Sequence, residues 1–195
     1  MYVKYIIRLG ALLAIALSVL PTVSARAETT YPQPPQSYYH SLFKNMGSGL
    51  CLQPETEAPW NGLGIVQQPC NEADLYQRWT FQTVRLDYGK PGIYLIINTG
   101  SGQCLDDRDG ATADWSPVQQ WSCNFTSTTM QWTLVDPGRP LIGLQYKNVR
   151  TGKCLDVRSG SLQPGAVLQI YHCTSTPTAP NYAQLFTLSR PIVIY

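Results

Sequence analysis

Hydrophobic patterning divides the chain in two. Leu9 to Leu20 is an apolar stretch of twelve residues ended by Pro21. Beyond it no helical period is sustained. Short apolar runs of about four to six residues alternate with Gly, Asp, Asn and Pro turns such as Asp109-Gly110 and Pro137-Gly138, the pattern of a chain made of short β-strands. In Val167 to Cys173 the period of two sends Leu168 and Ile170 to one face and Gln169, Tyr171 and Cys173 to the other. The aliphatic face belongs to a core, and His172 falls on that inward side. Gln169 and Tyr171 are expected to point outward.

The first apolar stretch is too short to cross a bilayer, which takes about 20 residues. Lys4 and Arg8 precede it and Ala25-Arg26-Ala27 follows, the charged start and small-x-small end of an export signal. The expectation is a signal peptide over 1–27, cleaved after Ala27, and a secreted product without membrane insertion. Residues 28–40 carry Pro32, Pro34 and Pro35 and read as an extended N-terminal tail in which no strand is predicted.

Composition narrows the function. Only 13% of the 195 residues are charged and 11% are aromatic, which excludes intrinsic disorder. The formal charge of +2 rests on the leader: without Lys4, Arg8 and Arg26, 11 of the 14 basic residues remain against 12 acidic ones, a net charge of about −1. No basic stripe is left for nucleic acid.

Export makes disulfides the expected state of the six cysteines. Their order allows 15 connectivities. Three identical spacings of 19 single out Cys51 with Cys70, Cys104 with Cys123 and Cys154 with Cys173. There is no CxxC, and His40 and His172 are the two histidines of the chain, so no zinc site or other metal or cofactor is expected. The spacing also exposes an internal repeat. Gly49-Leu50-Cys51-Leu52, Gly102-Gln103-Cys104-Leu105 and Gly152-Lys153-Cys154-Leu155 each lead to a second cysteine and close on Gln77-Arg78-Trp79, Met130-Gln131-Trp132 and Gln184-Leu185-Phe186. Trp79, Trp132 and Phe186 are core candidates.

Three repeats of about 50 residues, each with Gly-x-Cys-Leu and a closing Gln-x-Trp-like triplet, resemble the ricin B-type lectin domain. The resemblance implies an all-β fold, a β-trefoil of twelve strands over 41–195 with one disulfide per repeat. It also implies reversible binding of glycans ending in galactose or N-acetylgalactosamine. In that family the pocket takes an Asp two residues after the first Cys and an aromatic two before the second, with polar groups near the closing triplet. The third repeat fits best, with Asp156, Gln169 and Tyr171, and Asn181 or Gln184 as rim amides. The second repeat offers Asp106, Gln119 and Trp121, but Met130 replaces the motif glutamine. The first has Gln53 and Gln68 in the key places and is expected to be structural.

The residues support this chemistry without the family. An aromatic ring covers the apolar C–H face of a pyranose, while a carboxylate and an amide bond adjacent hydroxyls. The plainer alternative for Asp106 and Asp156 is turn capping. Trp60 and Trp115 sit in proline-flanked loops, where they either extend a binding surface or cover the loop. The run Asp106 to Gly110 lacks the pattern of a calcium loop and is expected to be a solvated hairpin turn. Asn124-Phe125-Thr126 is a glycosylation acceptor sequence.

An enzyme is not expected, since the cysteines are committed to disulfides and neither histidine lies in a nucleophile motif. Two rival readings remain: a cell-binding toxin subunit resembling those of the cytolethal distending toxins, with a toxin-subunit partner, and a trefoil protease inhibitor.

Overall fold

The computed structural model describes residues 38–138 and 143–189. The predicted export signal and residues 28–37 of the predicted tail lie outside these. Four strands form in each repeat: β1 (Tyr38–Asn45), β2 (Cys51–Pro54), β3 (Ile65–Gln68) and β4 (Arg78–Arg85), then β5 (Ile93–Asn98), β6 (Cys104–Asp107), β7 (Val118–Trp121) and β8 (Gln131–Val135). The third repeat supplies β9 (Gln145–Asn148), β10 (Cys154–Val157), β11 (Leu168–Tyr171) and β12 (Phe186–Leu188). Six of these strands close a ring. β1 pairs with β4, β4 with β5, β5 with β8, β8 with β9 and β12 with β1. Leu144 and Phe186 join the β9 and β12 sides. The remaining strands form three hairpins, which meet through the bridges Gly64↔Gln119, Pro117↔Gln169 and Val66↔Val167. This is the expected twelve-stranded β-trefoil.

The same local device starts each hairpin. Asn45, Asn98 and Asn148 are buried, and each Oδ1 accepts two backbone N–H groups of its own turn, at 3.0 to 3.2 Å. Gly49, Gly102 and Gly152 follow with φ of +71°, +71° and +69°, a conformation that glycine adopts without cost. The chain then enters β2, β6 or β10 at a cysteine. All three disulfides pair as the spacing indicates, with Cα–Cα distances of 5.0, 5.0 and 5.2 Å.

The repeated aromatics fill the centre: Trp79, Trp132 and Phe186 are fully buried with Phe43, Phe81 and Tyr146. Trp79 Nε1 donates to the Leu52 carbonyl at 2.9 Å and Trp132 Nε1 to that of Leu105 at 3.0 Å. Trp132→Phe would leave the Leu105 carbonyl buried without this donor. Urea unfolding should show a loss of about 2 kcal/mol with unchanged slope.

Three expectations need correction. Tyr38, Tyr39 and His40 belong to β1, not to a strandless tail, with Tyr38 opposite Phe81. The register slips between Tyr38 and Ser41, and His40 has φ +64°, so the period of two is broken where β1 begins. His172 does not face inward: β11 ends at Tyr171, and the imidazole lies exposed beyond the last pleat. The acidic run is no solvated turn either. Asp106 and Asp107 are buried in β6, and the turn is confined to Arg108–Gly110.

Candidate functional site

The hairpin β10–β11 sets Asp156 opposite Gln169 and Cys154 opposite Tyr171. Gln169 is fully buried, contrary to the outward placement expected of it, because Pro117 bridges to it from the neighbouring hairpin. Both ends of its amide are engaged. Arg158 Nε donates to Gln169 Oε1 at 2.9 Å, which turns the Gln169 Nε2 toward Asp156 Oδ1 at 2.8 Å. The relay fixes the carboxylate at the base of the site. Burial raises the pKa of Asp156, against the lowering effect of hydrogen bonds from Gln169 and Gln184.

Three rings cluster at the end of the same hairpin, where Tyr171 stands two residues beyond Gln169. Tyr171 meets His172 at 4.1 Å and Trp115 at 4.7 Å between centroids. Asp114, from the same loop as Trp115, accepts from Lys153 Nζ at 2.5 Å and contacts His172 Nδ1 at 2.9 Å. The Lys153 hydrogen bond, followed by that of His172, holds the Asp114 pKa down at about 2. A carboxylate, a charged pair and an aromatic cluster thus come together, with Asp114 and Trp115 supplied by the second repeat.

The rim amides are already occupied. Asn181 caps the turn Tyr182–Gln184, with Oδ1 accepting from Ala183 N and Nδ2 donating to Thr174 Oγ1. Gln184 is fully buried and tied to Gln145, Thr174 and the His172 carbonyl. Both therefore shape the rim from behind.

The second repeat reproduces the relay. Arg108 Nε donates to Gln119 Oε1 at 2.9 Å and Gln119 Nε2 to Asp106 Oδ2 at 2.8 Å. Asp106 is likewise raised in pKa by burial, and its Oδ1 is buried with no partner among the described residues. Trp121 is 42% exposed beside it. Met130 stands in place of the third repeat's Gln184, its sulfur facing Asn124 N at 3.3 Å. In the first repeat Gln77 donates to Gln53 Oε1 at 2.8 Å, so a neutral amide pair replaces the carboxylate.

Residues 75–171 match the family model described as Ricin-type beta-trefoil lectin domain-like. The chain belongs to that family. No curated protein sequence matches closely enough to count as a relative. Among solved structures, the lectin domain is similar to the designed threefold-symmetric protein ThreeFoil, with TM-score 0.65 and 25% identity over 77% of this chain and 96% of that one. It is similar to the Macrolepiota procera ricin B-like lectin, solved in complex with lactose, with TM-score 0.59 and 19% identity over 83% of this chain and 100% of that one. A chain of the cytolethal distending toxin from Actinobacillus actinomycetemcomitans shares the fold, with TM-score 0.57 and 12% identity over 80% and 94%.

Three contributors to the lectin-like site were missed in the sequence. Arg108 and Arg158 carried a signal, since Cys-Leu-Asp-x-Arg occurs in both repeats that hold an Asp. Asp114 carried none, because its partners lie in the next repeat.

Proposed function

We propose that this chain is an exported lectin that binds galactose- or N-acetylgalactosamine-terminated glycans reversibly, chiefly through the third repeat. The observation that carries the reading is the Arg158–Gln169–Asp156 relay ending beside Tyr171. It presents an oriented carboxylate acceptor and an aromatic face within one braced hairpin, the pair of groups a pyranose needs. The lactose complex of the similar Macrolepiota lectin supports the choice of sugar. The six cysteines are all in disulfides, so none supplies a thiol nucleophile, in keeping with the noncovalent binding proposed.

Asp106 and Trp121 form the second, less complete site, and Asn181 and Gln184 hold the rim of the first. Two sites on one exported chain would raise effective binding to a dense glycan surface by about 100-fold over one site.

The test is a glycan array probed with the mature protein and with the Asp156→Ala, Tyr171→Ala double variant. Loss of a charge-assisted acceptor and a stacking ring should weaken binding to terminal galactosides by about 100-fold. Undiminished binding would move the site to Asp106 and Trp121. A folded wild type that binds no glycan would overturn the reading and direct attention to protein partners of the toxin-subunit kind.

A further inference from the structure

Trp115 occupies a point at which the other two repeats have glycine. Its backbone N–H donates to the carbonyl of Ile170, just before Tyr171; Gly62 donates in the same way to Gln120, before Trp121, and Gly165 to Gln67, before Gln68. The three residues share a left-handed backbone, with φ of +73°, +87° and +81°. Arg158 Nη2 bonds the Trp115 carbonyl at 3.2 Å, as Arg108 Nη2 bonds that of Gly62 at 2.9 Å. The loop geometry is therefore common to the repeats that carry the relay, and it is one that glycine adopts freely and a bulky residue adopts at a cost.

Burial does not offset that cost, because Trp115 is 52% exposed. Nor do backbone hydrogen bonds, since the glycines make the same ones. What the indole adds is its ring, 4.7 Å from Tyr171 and inclined at 58°. Strained, exposed conformations of this kind persist where the side chain has work to do.

Resting on the glycan-binding reading, we infer that Trp115 contacts ligand at the third-repeat site and creates a subsite for the second unit of a disaccharide or longer glycan. Asp156 and Tyr171 take the terminal sugar, and Trp115 offers the next pyranose its own apolar face. The incline between the rings suits two sugars turned about a glycosidic bond better than one flat stack. The second-repeat site lacks this subsite. Gly62 stands at the equivalent point and brings no ring of its own to Trp121, although a Cβ built there would lie 3.8 Å from that indole.

The test is calorimetric titration of galactose and lactose into a Trp121→Ala background, so that the third repeat reports alone, with and without Trp115→Gly. Glycine is the residue the other repeats use here, so the variant should fold, with an unfolding midpoint no lower than the parent's. The background protein should bind lactose about fivefold tighter than galactose. Trp115→Gly should weaken lactose more than galactose and bring that ratio to about one, and Trp115→Phe should restore part of the preference. A lactose preference that survives Trp115→Gly, or equal loss of both sugars, would overturn the subsite. A background protein that binds neither sugar would overturn the galactoside reading itself, and the subsite with it.

Discussion

Replacing Asp107 with valine should raise stability by about 2 kcal/mol more at pH 8 than at pH 3. Asp107 is fully buried in β6 opposite Val118, and neither carboxylate oxygen has a hydrogen-bond partner among the described residues. The equivalent residue of the third repeat is Val157, a member of the central core. Desolvation, followed by the charges of Asp106 and Asp109, pushes the Asp107 pKa from 3.8 up to about 7. The native state therefore holds a proton that the unfolded chain releases near pH 4. Stability falls as pH rises from about 4 to 7, and the penalty is constant above that range. At about 1.4 kcal/mol per pH unit the full penalty is about 4 kcal/mol; screening by water at the adjoining turn is taken to halve it. Valine, of similar shape, removes the penalty and completes the apolar contact. Asp114 acts with the opposite sign in both proteins. Its low pKa contributes stability above about pH 4 that is lost as pH falls toward 2. Urea midpoints measured from pH 3 to pH 8 check the prediction: the two curves should lie nearest at pH 3 and diverge through pH 7. Parallel curves would show that Asp107 is not the titrating group.

Asp107 also shows what the sequence carried and what it withheld. Next to Asp106, Asp109 and Gly110 it looks like part of a polar turn, yet its alignment with Val157 was there to be read and points inward. The threefold register was legible because the cysteines, glycines and closing aromatics all recur at nearly constant spacing, and the disulfides followed from that spacing alone. Asp156 and Tyr171 were legible for the same reason. Gln169 was assigned outward because alternation distinguishes two faces of a strand but does not tell which neighbour covers the second one; here Pro117 of the adjacent hairpin does so. His172 was misplaced because the pleat stops at Tyr171. Asp114 was illegible as a site residue, and Trp115 was legible only as a loop aromatic without a partner, since both lie more than 50 positions before Tyr171 and reach its surroundings only through the packing of one repeat on the next.

Removing the third-repeat disulfide should cost about 3 kcal/mol and lower the unfolding midpoint by about 6–12 °C, while leaving affinity for galactosides at 25 °C nearly unchanged. The bridge between Cys154 and Cys173 closes a separation of 19 residues, and in the chain-entropy account its main effect is on the unfolded ensemble. In the folded state the site does not depend on it alone. Asp156 is held opposite Gln169 by the β10–β11 ladder, Gln169 by Arg158, and the Trp115 loop by backbone bonds to Ile170. The Cys154→Ala, Cys173→Ala pair should therefore bind as the wild type does until it unfolds, and lose binding abruptly at its own lower midpoint. Cys104→Ala with Cys123→Ala should show the same cost, because that bridge has the same separation of 19. Affinity that declines well below the unfolding midpoint would show instead that the bridge positions Tyr171 directly. Thermal unfolding followed alongside sugar binding separates these cases, since the first predicts coincident transitions and the second predicts that binding is lost first.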